Sequence, residues 1–186
     1  MDERSDEALA AEVARGDASA LRSLYLRYEV RAFNLLLRLT GQRELARELT
    51  QETFTRMWRM AHLFDPGRGL FKGWLFTIAL NLARSELARK RYAVTHVEPE
   101  EADCVAAEAE RPDALLARSE VQRNVASALA KLSPHLREVV VMKVYQQLKF
   151  REIAEVTQTP EGTLKARFHR AVAELREHLG ELGGRA

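Results

Sequence analysis

The chain has 186 residues, 46% of them hydrophobic, with 29 Lys and Arg against 27 Asp and Glu for a net charge of +2. That length and apolar content are enough for one ordinary packed domain or two small ones and exclude disorder throughout. The single cysteine, Cys104, excludes an internal disulfide framework, and no apolar run approaches the length of a signal core or a membrane span, so a cytoplasmic protein without membrane insertion is expected.

Residues 17–39 predict a helix. Leu21, Leu24, Tyr25, Tyr28, Ala32, Leu35, Leu36 and Leu39 share one face, with Asp17 placed to cap the start and Gly41 to end it. A second helix over about 43–61 turns Leu45, Leu49, Thr53 and Met57 inward, while Glu48, Gln51, Glu52, Thr55 and Arg59 line the opposite side. "FDPGRG", 64–69, breaks the pattern with a proline and two glycines, and a third helix over about 70–91 buries Phe71, Leu75, Ile78 and Leu82. Residues 93–117 lack an apolar period and are rich in acids, which predicts an exposed, flexible acidic linker between two domains, 1–92 and 118–186. In the second domain, 118–131 predicts a helix with Val121, Val125, Ala128 and Leu132 inward, and Ser133-Pro134 opens another through the buried run "EVVVMKVY". "KFREIAEVTQ" and "TPEGTLKARFHRA" then form two helices joined by a tight turn, a helix-turn-helix pattern without the glycine often found in the turn. In the last helix, with Thr159 placed to cap the first amides and Pro160 at the first helical position, the inward stripe is Leu164, Phe168, Val172, Leu175 and Leu179, which leaves Thr163, Lys165, Ala166, His169 and Arg170 on a small, cationic outer face. No strand pattern competes, so the expected fold class is all-α.

Net charge hides a strong segmentation. Eight basic residues stand against two acids between 56 and 92, and eight acids against two basic residues between 93 and 120, as expected where one surface meets a polyanion and a linker does not. Catalysis has no foothold: the histidines at 62, 96, 135, 169 and 178 make no metal-ligand spacing, and neither a phosphate loop nor a nucleophile elbow is present. The expectation is therefore a non-enzyme with no metal and no cofactor. Trp74 and Asn81, two helical turns apart on one face, with Ser85 a turn further and Arg84 beside them, combine an aromatic platform, an amide and cations. That set suits an unstacked base of a single strand, although a solvated Asn beside a core Trp is the commoner arrangement.

Together these segments resemble the extracytoplasmic-function sigma factors, the small sigma subunits of bacterial RNA polymerase. The resemblance spans nearly the whole chain: "RELARELTQETFTRMWR" is similar to the family's polymerase-binding helix, "FDPGRGLFKGWLFTIALNLARSEL" to its promoter-melting segment, and "LSPHLREVVVMKVYQQLKFREIAEVTQTPEGTLKARFHRA" to its DNA-reading C-terminal domain. The resemblance implies that Glu48, Gln51, Glu52, Thr55 and Arg59 dock on the clamp helices of core polymerase, whose flap is a further partner. It implies that Phe64, Asp65, Gly67 and Arg68 capture a flipped base of the −10 element above Trp74, Asn81 and Ser85, while Arg84, Arg89, Lys90 and Arg91 hold its phosphates. It gives the −35 duplex to Lys143, Phe150, Arg151, Glu152, Thr163, Lys165, Ala166, Arg167, His169 and Arg170, and it adds an anti-sigma factor as partner. Ser85, Lys149 and Ala166 depart from the residues common at those places, which bears on promoter preference and local stability. A two-domain helix-turn-helix regulator that binds duplex DNA without joining the polymerase is the alternative reading.

Overall fold

The computed structural model describes residues 3–96 and 114–183, and among them there is no strand. The first helix, α1 (Asp6–Ala14), was not anticipated from the sequence. Ser5 Oγ accepts from Ala8 N at 3.1 Å, Asp6 and Glu7 suit the positive end of the helix dipole, and Leu9, Ala10 and Val13 are buried. In α2 (Ala18–Thr40), Asp17 caps Ser19 N at 2.7 Å and Gly41 ends the helix at φ 71°, both as expected. The backbone N–H groups of Ser19 and Ala20, together with the Ser19 hydroxyl, hold the Asp17 carboxyl below its ordinary pKa. Of the residues expected inside, Tyr25 is an exception at 40% exposure. Leu45, Leu49, Thr53 and Met57 of α3 (Arg43–Met60) are buried as expected. Two short 3-10 turns, Ala61–Leu63 and Pro66–Arg68, lead into α4 (Phe71–His96), which buries Phe71, Leu75, Ile78 and Leu82.

Helix therefore covers 93–96, and α5 (Ala114–Lys131) covers 114–117, so both ends of the segment expected as linker are helical. The rest of it, with Cys104, lies outside the described residues. Two inward assignments fail where a helix outruns its neighbours: Val121 is 62% exposed and Leu179 is 38% exposed. Next comes α6 (Pro134–Val140), continued by a π turn over Val141–Tyr145. The wider turn displaces the side-chain register, leaving Val144 exposed and the polar Gln146 buried. The helix-turn-helix is α7 (Phe150–Thr157) and α8 (Glu161–Gly183). Gln158, at φ 54°, takes the left-handed position that glycine often fills. Thr159 does not act as the expected cap, because its hydroxyl donates back to Thr157 O at 3.3 Å while Pro160 O accepts the first helical N–H, from Leu164.

The buried side chains of α1–α4 and α5–α8 belong to one continuous cluster, running from Leu9 and Leu24 through Leu80 to Leu132, Val141 and Leu164. Polar contacts also cross between the halves. Gln146 exchanges hydrogen bonds with the Arg31 side chain and backbone at 2.9 and 3.1 Å, the Arg38 guanidinium lies 3.9 Å from the Tyr145 ring centre, and Arg137 Nη1 donates to Leu39 O at 3.0 Å.

Candidate nucleic-acid interface

The segment before α4 is built around one capped turn and three rings. Asp65 Oδ1 accepts from Gly67 N at 2.8 Å, which fixes the Pro66–Arg68 turn. Gly69 follows at φ 150° and ψ 177°, a conformation that side-chain-bearing residues avoid. Phe64 packs on Trp74 at 5.4 Å between ring centres and on Phe71 at 5.7 Å, and Phe71 meets Trp74 at 6.0 Å. Tyr28 supports Phe71 from below at 5.7 Å, with its hydroxyl on the Asp6 carboxylate. Burial, and then that hydrogen bond, push the Tyr28 pKa well up, so the hydroxyl stays a donor. Glu7 Oε1 accepts from Phe71 N at 3.3 Å, so α1 pins the first turn of α4. Phe64 and Trp74 are half-buried, whereas Asp65, Gly67 and Arg68 are exposed. The result is an aromatic floor beneath a polar rim.

Along α4 the same face continues with Asn81 and Ser85, both exposed. The cations near it are less free than the sequence suggests. Arg89 pairs with Glu86 at 2.7 Å, and Lys90 donates to Gln42 Oε1 at 2.5 Å. Arg84 reaches out of its own half of the chain, where Nε and Nη2 grip the Glu138 carboxylate at 2.9 and 2.7 Å. Those hydrogen bonds outweigh the effect of burial and raise the Arg84 pKa above its ordinary value. Lys72, overlooked in the sequence, stands beside the loop and pairs with Glu152 at 2.7 Å.

On α8, Thr163, Lys165, Ala166, His169 and Arg170 form one exposed face, with Arg167 half-buried at its margin. Lys165 and Arg170 are held only by exposed pairs one turn away, to Glu161 and Glu174 at 2.8 Å each, and are available for exchange with a polyanion. Arg151 stands exposed on α7. The other residues expected at a −35 duplex do not join this face. Lys143 turns inward to Leu148 O at 3.3 Å and lies 5.0 Å from the Phe150 ring, Phe150 packs on Phe168 at 5.7 Å, and Glu152 is divided between Lys72 and the Lys149 N–H.

The stripe on α3 keeps Glu48, Gln51 and Arg59 exposed and Glu52 and Thr55 half-exposed. Glu52 pairs with Arg56 at 2.6 Å, and the Thr55 hydroxyl bonds back to Gln51 O at 2.9 Å. What the sequence concealed is an apolar groove of about 760 Å³ beside the stripe, between α2 and α3, lined by Tyr25, Val30, Phe33, Phe54 and Trp58 with Arg43 and Arg47 at its edge. Trp58 was the available signal, an aromatic on the polar side of its helix, 55% exposed. Among the described residues no cluster suits a metal ion, and no helix is long and apolar enough to cross a membrane.

Residues 24–92 match the model of Sigma-70 region 2, and residues 122–175 match that of Sigma-70, region 4. The chain is 33% identical to the ECF RNA polymerase sigma factor SigE of Mycolicibacterium smegmatis, covering 96% of this chain and 71% of that protein. It is also 33% identical to the RNA polymerase sigma factor CarQ of Myxococcus xanthus, covering 90% of this chain and 93% of that one. Among solved structures, CnrH in complex with the cytosolic domain of CnrY superposes with a TM-score of 0.70 at 30% identity, over 96% of this chain and 99% of the other. The helical fold, the paired regions and these relatives together place the chain in the family of ECF sigma factors, the RNA polymerase subunits that direct promoter-specific transcription initiation.

Proposed function

We propose the following division of labour within this sigma factor. The Asp65-capped turn and the Phe64–Trp74 floor receive a −10 base lifted from the stack, Asn81 and Ser85 contact its edge or its neighbour, and Arg68, Arg84, Arg89, Lys90 and Arg91 follow the backbone. The exposed face of α8, with Arg151, enters the −35 major groove. The α3 stripe and the apolar groove beside it dock core polymerase, the flap contacts the C-terminal region, and the protein acts in the cytoplasm. CnrH was solved with the cytosolic domain of CnrY, and an anti-sigma partner is proposed for this chain as well.

The observation that carries the −10 assignment is the three-ring cluster beneath a capped, exposed turn, continued by the exposed amide of Asn81. An isolated Asn in a helix interior otherwise has little to recommend it. The test is open-complex formation, followed by permanganate reactivity of promoter thymines on duplex and pre-melted templates. Asn81→Ala should impair opening while leaving duplex engagement intact, and pre-melting should rescue it only in part. Arg170→Ala should weaken the closed complex by about 1–3 kcal/mol if its contact is bidentate to a base, and should matter less on the pre-melted template. Equal defects for both variants on both templates would refute the division.

A further inference from the structure

Helix α1 precedes the residues that match Sigma-70 region 2, yet two of its carboxylates converge on the aromatic floor. Leu9, Ala10 and Val13, none more than 3% exposed, fix the helix in the core. From that anchorage Glu7 Oε1 accepts from Phe71 N at 3.3 Å. The start of an α-helix leaves its first amides without partners in the helix, and a side chain just before it ordinarily takes one of them. Here that place is held by Leu70, which has no side-chain acceptor and whose carbonyl already serves Gly73 N and Trp74 N at 3.0 and 3.3 Å. Glu7, 64 residues earlier in the chain, supplies the missing acceptor and puts a negative charge at the positive end of the α4 dipole. Its neighbour Asp6 takes the Tyr28 hydroxyl and pairs with Arg27 at 2.7 Å, and the Tyr28 ring meets Phe71 at 5.7 Å. The backbone and the ring of Phe71 are thus both held from α1. Phe71, fully buried, is the ring on which Phe64 and Trp74 rest, at 5.7 and 6.0 Å.

We propose that Glu7 is a positioning residue for promoter-strand capture: by holding the first turn of α4, it sets the height of the Phe64–Trp74 floor on which the lifted base lands. The inference rests on the reading of α4 and the 64–69 loop as the −10 site. Its physical basis is leverage at a helix start. Phe71 N is the first amide of α4, Trp74 follows within the same turn, and Phe64 packs on both rings, so a shift of this turn moves the whole floor. Asn81 does not move with it, because the stretch of α4 that carries it is fixed by Leu75, Ala79 and Leu80, which are almost completely buried. A loose first turn therefore changes the spacing between the stacking surface and the amide. Groups that must act on one ligand have to be held within about 0.5 Å of the receiving geometry, which long-range tethering of the turn provides. Glu7 itself contacts neither DNA nor polymerase in this scheme, so its loss should affect the capture step alone.

The test uses the full chain with core polymerase. Glu7→Ala should slow open-complex formation, followed by permanganate reactivity, about fivefold, the size of one net hydrogen bond, while its closed complex forms at the same promoter concentration as that of the unaltered chain. Glu7→Gln keeps an amide oxygen for Phe71 N and should recover most of the rate. Asp17→Ala removes the cap of α2, where Asp17 Oδ1 accepts from Ser19 N at 2.7 Å, and leaves Glu7 and the floor untouched; it should lower the urea midpoint without slowing opening, which separates lost stability from lost position. In the free chain carrying Trp58→Phe, Trp74 is the remaining tryptophan, and adding Glu7→Ala should raise its quenching by acrylamide, with Glu7→Gln close to the parent. Unchanged Trp74 quenching in Glu7→Ala, or an opening defect as deep in Glu7→Gln or Asp17→Ala, would overturn the positioning role. Changed quenching with opening intact in both Glu7→Ala and Asn81→Ala would overturn the −10 reading instead, whereas a defect in Asn81→Ala and none in Glu7→Ala would leave that reading standing and remove Glu7 from it.

Discussion

Arg137 makes the most demanding single test of how the two regions are held. Its guanidinium donates to Leu129 O at 2.8 Å, Ala130 O at 2.5 Å and Leu132 O at 3.2 Å, at and just past the end of α5, and to Leu39 O at 3.0 Å near the end of α2; Leu129 O also accepts from Leu132 N, whereas a helix end otherwise leaves its last carbonyls to side chains or water. One cation thus caps two helix C-termini, where the dipoles favour positive charge. Burial opposes this by lowering the Arg137 pKa, so the four bonds cannot simply be summed. A hydrogen bond to a charged group contributes about 1.5–3 kcal/mol, and two or more such carbonyls would be left unpaired by truncation. Arg137→Met should therefore cost about 2–4 kcal/mol. With a urea slope of about 2 kcal/mol per M, the midpoint followed by circular dichroism should fall by roughly 1–2 M. Arg137→Lys should lose most of the same amount, because a point ammonium cannot reach four acceptors with a planar fork. A loss under about 0.5 kcal/mol for the Met variant would mean that water already satisfies those carbonyls, and the capping argument would be wrong.

Burial works to raise the Glu152 pKa, but Lys72 and the Lys149 N–H outweigh it and hold the carboxyl below its ordinary value. A depressed folded-state pKa means a contribution fully present above the unfolded value near ~4.3 and lost as pH falls through the folded value, so the Lys72–Glu152 contribution to stability should fade in acid, measured by urea denaturation from about pH 6 downward, and Glu152→Gln should flatten the change. Leu24→Ala, at a fully buried site, should cost about 3–5 kcal/mol in urea denaturation, whereas Tyr25→Ala, one residue on and facing the groove, should cost far less and instead weaken binding to core polymerase in a pull-down. Gly69→Ala meets both an unfavourable φ of 150° and a carboxylate oxygen 3.3 Å from the new Cβ, so thermal unfolding should show a loss of about 1–3 kcal/mol.

Where local chemistry decides the structure, the sequence was readable. Asp17 and Gly41 bracket α2 because a carboxylate can take the first N–H groups and a glycine can adopt φ 71°, and both signals act within a few residues. Its buried stripe follows from the spacing alone. The same rule overreached at Val121 and Leu179, where the apolar period continues but the packing partner does not. It also underread α1, whose Ser5 cap and Asp6-Glu7 turn were present but whose apolar set is only Leu9, Ala10 and Val13. In "EVVVMKVY" periodicity could not help, since an unbroken apolar run carries no phase. The π turn there sets a new phase that turns Val144 outward and Gln146 inward to Arg31.

The candidate DNA residues show a different limit. Lys165, His169 and Arg170 were legible as a set because one helix carries them all and its own apolar stripe fixes their direction. Arg84 belongs equally to a DNA-binding face and to an ion pair, and nothing within a turn of it chooses between them. Its partner, Glu138, is 54 residues away and lies in a run that reads as buried. The segmentation of charge along the chain has the same ambiguity: a basic region 2 can face a nucleic acid, or it can face acids placed elsewhere in the same chain. In the folded chain Arg84 and Lys72 are already paired with carboxylates, so a promoter strand that reaches them must exchange one set of oxygens for another. Because such an exchange is between similar oxygen partners, its free-energy difference is small compared with the gross strength of either pair, and ionic strength is one variable that shifts it.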